Sequence, residues 1–328
     1  MMVKIDKIFK TNEELVDVLE RRNMIVQNKK WATRILDYEN YYCVINGYKN
    51  IFVTSTNPED TYRDGTNFNE LVGLYTFDRL LREKLLTELL RVEHIVKSRI
   101  VYVFSKYHGH EHTAYLRHEN FNSSGFENFK RVNYLIYDML KLVDPKKARN
   151  GAIKHYIKNY NYIPLWVLSK EMTFGKLNSF YACMNLEEKE EVAASFGLNA
   201  KEFKSVIDFM ADVRNKCAHG ERIYCYSRDL PKPRPIICLK EHEFLEIPKT
   251  DAGYMNYGRN DILALLISLR YFVASDRYNH LLDKIDRALH KKLEKRLKSV
   301  NISVVENIMG LNCDWLALKH NISIEKRN

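Results

Sequence analysis

Three residues whose side chains could act together on a phosphate lie in the stretch 213–220, which reads VRNKCAHG. Histidine suits proton transfer near neutral pH, because its unperturbed pKa is about 6.5, and the candidate is His219. Arginine suits phosphate binding through its permanent charge and forked donors, and the candidate is Arg214. Asn215 could orient the histidine or donate to a phosphate oxygen. Such a set could cleave RNA without a metal ion, since RNA supplies its own nucleophile, the 2′-hydroxyl.

A purely structural interpretation of the same residues is also open. Cationic side chains are common near the end of a helix, because they complement the negative end of the helix dipole. Spacing alone therefore does not separate a catalytic pair from two ordinary helix-end residues.

The spacing does constrain the geometry of the three side chains. On an ideal helix Asn215 and His219, four residues apart, share a face. Arg214 and His219 are five residues apart and diverge by about 140°. For both to reach one phosphate, either the helix ends near Ala218 or two copies of the chain share a site.

Helical periodicity dominates the elements that must position this stretch. A long helix is predicted across 71–104, and Gly109 is expected to end it. Its apolar stripe is Leu71, Leu74, Leu81, Leu85, Leu89, Val92, Val96, Ile100 and Val103.

Two further helical regions lie between the long helix and the motif. One runs from Pro164 to about Thr173, and Gly175 is expected to break or bend it before a second piece at 177–184. The helix that leads into the motif is predicted to begin at Asn199, with Glu202 completing a capping box. Its stripe is Phe203, Val206, Ile207, Met210 and Val213.

The last long helix is predicted over 261–300. Its inward residues are Leu265, Leu269, Leu281, Leu282, Ile285, Leu289, Leu293 and Leu297. The other face is basic, and the residues predicted to dock RNA are Lys291, Lys292, Lys295 and Arg296. The same face could equally be a solvated surface.

The remaining segments complete an all-α architecture. Two or three short helices are predicted across 12–50, ending at Gly47. Prolines at 231, 233 and 235 forbid helix, and 237–247 could form a short hairpin. We therefore predict an N-terminal helical region at 1–68 that caps a helical bundle at 69–328, with a proline-containing insertion at about 224–260 before the last long helix.

Composition limits the classes of protein that fit. Lys and Arg number 52 against 42 Asp and Glu, which gives a net charge of +10 and is compatible with a polyanionic partner such as RNA. The six cysteines include no close pair, which argues against a zinc site or a disulfide framework. No signal peptide is recognisable at the N-terminus, and the longest apolar run, 262–269, is too short to span a bilayer. A soluble cytoplasmic protein without cofactor or metal is expected.

The wider sequence resembles a known family. Besides the motif stretch 213–224, three phrases characteristic of that family occur in order, at 22–48, 71–100 and 163–181. Together they resemble the Abi-like abortive-infection proteins of the AbiD and AbiF group, a branch of the HEPN superfamily. The resemblance covers about residues 12 to 226. The family often has a basic or aromatic residue after the histidine, where this chain has Gly220.

The resemblance implies an HEPN-type helical bundle and a metal-independent endoribonuclease that acts as a toxin or phage-defence effector. It also implies that two motifs face each other. Arg99 and His108 lie too far apart to make a second motif, so a homodimer would supply it. A regulatory non-coding RNA is a further partner that the family implies.

Several other residues are lesser candidates for a functional role. Glu93 and Glu171 fall where the family tends to keep acidic residues; Glu171 could contact Arg214, although solvent-exposed helix glutamates are expected for both. Trp166 is expected in the core. The alternating histidines at 108, 110 and 112 are expected in a solvated loop rather than at a metal. The tyrosine-rich segment 154–162 could stack unpaired bases, although codon bias explains it nearly as well.

These observations predict an HEPN-type endoribonuclease that cuts single-stranded RNA and leaves a 2′,3′-cyclic phosphate and a 5′-hydroxyl. Arg214 would hold the phosphate, His219 would act as general acid or base and Asn215 would orient them. The rival interpretation is a non-catalytic helical RNA-binding or regulatory module that retains the motif for dimer packing.

Overall fold

Helices build most of the described part of the chain. The computed structural model describes residues 8–57, 59–111, 113–144, 150–226 and 239–320. Thirteen α-helices lie in these ranges: α1 (Asn12–Arg21), α2 (Lys29–Glu39), α3 (Phe68–His108), α4 (Phe126–Val143), α5 (Gly151–Tyr160), α6 (Leu165–Leu168), α7 (Phe174–Cys183), α8 (Leu186–Ala194), α9 (Ala200–Ala218), α10 (Lys240–Phe244), α11 (Ile262–Leu269), α12 (Ser275–Ala288) and α13 (Ile302–Met309). The all-α prediction is confirmed.

Helix α3 is the central element, and the other bundle helices α6, α7, α8, α9, α11 and α12 all contact it. All nine residues of its predicted stripe are at most 1% exposed. The Glu70 carboxylate closes the first turn by accepting the Asn67 backbone N–H at 3.0 Å. Gly109 ends the helix with a φ of 82°, as the sequence predicted.

Helix α9 carries the motif and packs against α3, α7 and α8. Asn199 Oδ1 accepts the N–H groups of Lys201 and Glu202 at 3.0 and 2.9 Å. Glu202 in return accepts the Asn199 N–H at 2.9 Å, which completes the predicted capping box. The apolar residues of the α9 stripe are fully buried, so the register of the motif relative to α3 is set by packing.

The break between the two helices of 163–184 falls earlier than predicted. Helix α6 ends at Leu168, a 3₁₀ turn follows at Ser169–Glu171, and the Thr173 hydroxyl caps α7 by accepting the Lys176 N–H at 3.3 Å. Gly175 lies inside α7 and breaks nothing. The extended backbones of Met172 and Thr173 separate the two pieces, and the Thr173 cap begins the second one.

A single helix over 261–300 was also the wrong prediction. Helix α11 is buried on every side, and after it the chain turns before α12 begins. Tyr271, in that turn, donates to the buried Glu241 carboxylate at 2.6 Å, which holds the turn against the core. A π-helical turn at Leu289–Leu293 follows α12. The eight predicted inward leucine and isoleucine positions are nonetheless buried.

The N-terminal region contains the expected short helices, α1 and α2, and a π-helical turn at Tyr42–Asn46. A small antiparallel pair of strands, β1 (Val53–Ser55) and β2 (Thr61–Tyr62), follows them. The sequence did not predict this pair. Buried side chains before and after residue 68 belong to one continuous hydrophobic cluster, and the boundary placed there stays a prediction.

The hairpin predicted at 237–247 is not formed in its described part, 239–247. Residues 240–244 form the short helix α10, in which Glu241 and His242 are both buried. The His242 imidazole bonds the Leu239 N–H at 3.0 Å and lies 2.6 Å from the Gly258 carbonyl oxygen, contacts that a helical turn permits. The three prolines at 231, 233 and 235 lie outside the described residues.

Candidate active site

The end of α9 fixes the position of His219. The helix ends at Ala218, and His219 is its C-cap residue. The Gly220 N–H donates to the Cys217 carbonyl at 3.2 Å, and the Glu221 N–H donates to the Lys216 carbonyl at 3.0 Å. These two bonds, with a φ of 72° at Gly220, form a Schellman motif. The glycine that departs from the family pattern therefore stops the helix directly after the histidine.

Arg214 is held to the central helix by an ion pair. Its Nε lies 3.1 Å from Oε2 of Glu93 on α3. The other oxygen of Glu93, Oε1, lies 4.0 Å from Nζ of Lys97, one turn further along α3. Glu93 is only 8% exposed, so the prediction of a solvated glutamate there was wrong. One buried carboxylate thus balances two cations beside the motif.

Lys97 occupies the inner side of this network. Its ammonium donates to the Met172 carbonyl oxygen at 2.9 Å. Burial lowers the pKa of Lys97, and the nearby Arg214 lowers it further, whereas Glu93 and Glu171 raise it. Glu171 therefore acts on Lys97, while the carboxylate that contacts Arg214 belongs to Glu93. A supporting role for Glu171 stays a prediction.

The guanidinium of Arg214 keeps donors for a ligand. It has five N–H groups, of which Nε serves Glu93 and Nη1 donates to Oδ1 of Asn215 at 3.3 Å. Within the described ranges no hydrogen bond uses Nη2. Arg214 is partly exposed, so a phosphate oxygen can reach the remaining donors.

His219 faces solvent. Its backbone N–H donates to the Asn215 carbonyl at 3.0 Å, which places it one turn above Asn215. No hydrogen bond or ion pair joins its imidazole to another side chain of the described chain. The Asn215 side chain contacts Arg214 and not His219. The helix ends at Ala218, which is one of the two alternatives that the spacing left open, so the ideal-helix divergence of about 140° does not apply to His219.

The segment after His219 is anchored by a buried aspartate. Asp78 Oδ1 on α3 accepts the N–H groups of Ile223 and Tyr224 at 3.0 and 2.7 Å. Its Oδ2 accepts from the Tyr48 hydroxyl and from Arg82, both at 2.5 Å. Burial raises the pKa of Asp78. Because Asp78 is fully enclosed, its role is to fix the chain that follows the motif.

This anchor joins three of the four family phrases. The Tyr48 ring stacks on that of Tyr224 with centroids 5.7 Å apart. Tyr48 ends the first phrase, Asp78 lies in the second and Tyr224 ends the motif phrase. The N-terminal region thus packs directly against the end of the motif.

Cys217, which lies within the motif, is disfavoured as a nucleophile. Burial raises the pKa of Cys217 to about 12, so its thiol is neutral at physiological pH. Within the described ranges no group of three or more His, Cys, Asp or Glu residues is arranged to hold a metal ion.

The basic residues predicted to bind RNA lie away from α9, at the far end of α12. Lys291 and Lys292 are in the π-helical turn Leu289–Leu293, and Lys295 and Arg296 follow it; all four are exposed. The stem of Arg296 crosses α3 at Gly73, where a Cβ would lie 3.0 Å from Arg296 Cδ.

Two lesser predictions were wrong. Trp166 is 45% exposed instead of buried, because α6 turns it towards an open depression that also borders Tyr102 and Lys106. His108 is the last residue of α3, and its Nε2 lies 2.7 Å from Oε1 of Glu188 instead of in a solvated loop. His110 is exposed, and His112 lies outside the described residues.

Comparison with known proteins supports one family. The model of the family described as Abi-like protein matches residues 34–225. No curated protein and no solved structure matches the sequence significantly. None of the described helices combines the length and apolar character needed to cross a bilayer.

Proposed function

The chain belongs to the Abi-like protein family, a membership that associates it with abortive infection, and we propose that it is a metal-independent HEPN-type endoribonuclease. In this proposal it cuts single-stranded RNA in the cytoplasm and acts as the toxic effector of a phage-defence response. The observation that carries it is the pairing of Arg214 with Glu93 while Asn215 and an exposed His219 follow on the same helix end.

The chemistry follows from what each group can do. The 2′-oxygen forms a bond to phosphorus as the bond to the 5′-oxygen breaks, leaving a 2′,3′-cyclic phosphate and a 5′-hydroxyl. One proton leaves the 2′-hydroxyl and another reaches the departing 5′-oxygen, which are tasks for histidine. Arg214 stabilises the charge that develops on the phosphate oxygens. Asn215 positions the guanidinium, and Glu171 supports the network through Lys97.

A homodimer completes the site in this proposal. One chain supplies one Arg214 and one His219. A symmetric pair of chains with both motifs near the two-fold axis supplies two histidines, one for each proton transfer. Packing two cationic motifs together is unfavourable without an anion, so bound RNA should tighten the dimer.

The RNA strand is proposed to extend beyond the motif to Lys291, Lys292, Lys295 and Arg296. These exposed cations carry part of the net charge of +10. Contacts of this type are with the phosphate backbone and add affinity without sequence preference. A regulatory non-coding RNA that silences the enzyme is the second partner in this proposal.

Expression of single variants in cells tests the proposal. Arg214→Ala and His219→Ala should each abolish toxicity while the helical circular dichroism and the melting temperature stay close to wild type. His110→Ala is a matched control, because this histidine is also exposed but lies outside the motif. A non-catalytic RNA-binding module would behave differently, since its toxicity, if any, would survive the loss of His219.

A further inference from the structure

Helix α4 carries a row of aromatic, amide and cationic side chains on its outer side. We name it the α4 stripe: Phe126, Lys130, Asn133, Tyr134, Tyr137 and Lys141. Their spacing in steps of three and four places them within an arc of about 100° along some 22 Å of helix. All six are exposed. The opposite face is buried through Val132, Leu135 and Met139.

The rings of the stripe are unusually open to solvent. Phe126 is 77% exposed, Tyr134 is 64% exposed and Tyr137 is 59% exposed. Together with Phe129 they border a shallow depression of about 350 Å³. Phe129 is fixed from behind by the His118 imidazole, stacked on it at 5.1 Å. A contiguous exposed apolar patch of this kind marks an interaction surface.

The charge around the stripe is positive. The described residues of 126–162 contain five Lys and Arg, three of them on α4, against three Asp and Glu. The Lys141 ammonium lies 3.9 Å from the centre of the Tyr137 ring and 3.2 Å from Oδ1 of Asp138, an exposed pair that a phosphate can displace. The following helix, α5, adds exposed Lys154 and Lys158 and has no acidic residue.

We propose that the α4 stripe is a binding platform for single-stranded RNA, with unpaired bases stacked on Tyr134 and Tyr137 and phosphates held by Lys130 and Lys141. Rings and cations are interspersed along the stripe, with Tyr134 and Tyr137 adjacent and Lys130 and Lys141 on either side of them, so neighbouring bases and the flanking phosphates of one strand can be bound together. The proposal rests on the proposed function, because it assigns this surface to the RNA on which the enzyme acts.

Stacking distinguishes this platform from a surface that attracts any polyanion. Bases of a duplex are already stacked on one another, so the rings contribute only to binding of an unpaired strand. The cations contribute to both, because they contact phosphates.

Fluorescence anisotropy with labelled oligoadenylate of about ten nucleotides tests the platform in the His219→Ala background, where the strand stays intact. Tyr134→Ala with Tyr137→Ala should weaken binding about ten-fold or more, since each stacked base contributes about 1–3 kcal/mol. Tyr134→Phe with Tyr137→Phe keeps the rings and should bind as the parent does. Lys130→Glu with Lys141→Glu should weaken binding and flatten its salt dependence.

The matched control removes two equally open tyrosines elsewhere, Tyr38→Ala with Tyr254→Ala, which are 76% and 59% exposed. Loss of affinity in the stripe variant alone, and for the single strand but not for a duplex of equal length, supports the platform. Equal affinity of stripe and control variants overturns it. So does a stripe variant that keeps RNA affinity but loses self-association in sedimentation or binding to anionic vesicles.

The RNA-binding platform and the proposed nuclease activity can fail independently of each other. If the wild-type chain binds RNA through the stripe but never cleaves it, the nuclease proposal fails and the platform proposal stands. If the chain cleaves RNA and its RNA affinity is unchanged after loss of Tyr134 and Tyr137, the platform proposal fails and the nuclease proposal stands.

Discussion

Arg214 Nε and Glu93 Oε2 lie 3.1 Å apart across the contact between α9 and α3, so the arginine of the motif is fixed to the longest helix of the chain. The pairing uses one edge of the guanidinium and leaves the Nη2 side free of described partners. An arginine held in this way is oriented before any phosphate arrives, which reduces the entropy lost on binding.

The first prediction concerns this ion pair. Glu93→Gln keeps the shape of the side chain but leaves Lys97 and Arg214 without their counter-charge. We expect RNA cleavage to fall at least ten-fold and the free energy of unfolding to fall by about 1–3 kcal/mol, less than for a fully buried pair because Arg214 is partly exposed. Denaturant unfolding and cleavage kinetics measure the two effects.

Glu171→Gln is the matched control for Glu93→Gln. Glu171 is only partly buried and acts on Lys97, so its replacement should change cleavage much less. Equal losses in the two variants would contradict the assignment of Glu93 as the partner of Arg214.

The second prediction concerns the helix stop. Gly220 has a φ of 72°, and a Cβ there would meet no atom within 4 Å, so Gly220→Ala introduces backbone strain without a clash. We expect a stability loss of about 1–2 kcal/mol and a fall in cleavage, since His219 is held by this turn.

Gly197→Ala controls for the strain itself. Gly197 has a φ of 66° in the turn after α8, also with no atom within 4 Å of a Cβ. It should lose similar stability while the folded fraction keeps full activity. A normal cleavage rate in folded Gly220→Ala would show that the turn does not position His219.

The third prediction concerns metal ions. Because the proposed nucleophile belongs to the substrate, cleavage of an unstructured RNA should continue in excess EDTA. Using an unstructured strand removes the separate effect of magnesium on RNA folding. Activity that disappears with EDTA and returns with magnesium would contradict the mechanism.

The fourth prediction concerns the basic residues after α12. Replacing Lys291, Lys292 and Lys295 by Glu should weaken RNA binding across sequences and lower its salt dependence. The control replaces exposed Lys10, Lys30 and Lys249 by Glu, which changes the net charge by the same amount. If both triple variants bind alike, the effect is one of net charge and the surface after α12 has no special part.

The sequence predicted the two helices that form the site because their signals are local. The apolar stripes of α3 and α9 and the Asn199 cap depend only on residues a few positions apart, and all were confirmed. The spacing of Arg214 and His219 left two alternatives, a helix that ends near Ala218 or a site shared by two chains. The left-handed backbone of Gly220 ends the helix at Ala218.

The partners of the motif depend on contacts that no local pattern contains. Asp78 falls on the α3 stripe in the gap between Leu74 and Leu81, where an apolar residue would be expected. A buried charge in such a position signals a distant partner, but its partners Ile223 and Tyr224 lie 145 and 146 residues further along the chain. Trp166 was misplaced for another reason, since the four residues of α6 are too few for a periodicity to show which side is buried.

The fifth prediction concerns assembly. If each active site needs two motifs, the active species is a symmetric dimer that RNA tightens. Sedimentation at low micromolar concentration, with and without a non-cleavable RNA, should show a monomer–dimer equilibrium that shifts towards dimer. Mixing His219→Ala chains into wild type should lower activity faster than the wild-type fraction. A monomer that cleaves at full rate would exclude the shared site.

End-group analysis of a synthetic RNA cut by the purified protein is the sharpest test of the proposed metal-independent endoribonuclease. We expect fragments with a 2′,3′-cyclic phosphate and a 5′-hydroxyl, no cut at a position whose 2′-hydroxyl is replaced by hydrogen, and no product from His219→Ala even though that variant still binds the strand. Cleavage at the deoxy position, 5′-phosphate ends, or equal cleavage by wild type and His219→Ala would contradict it.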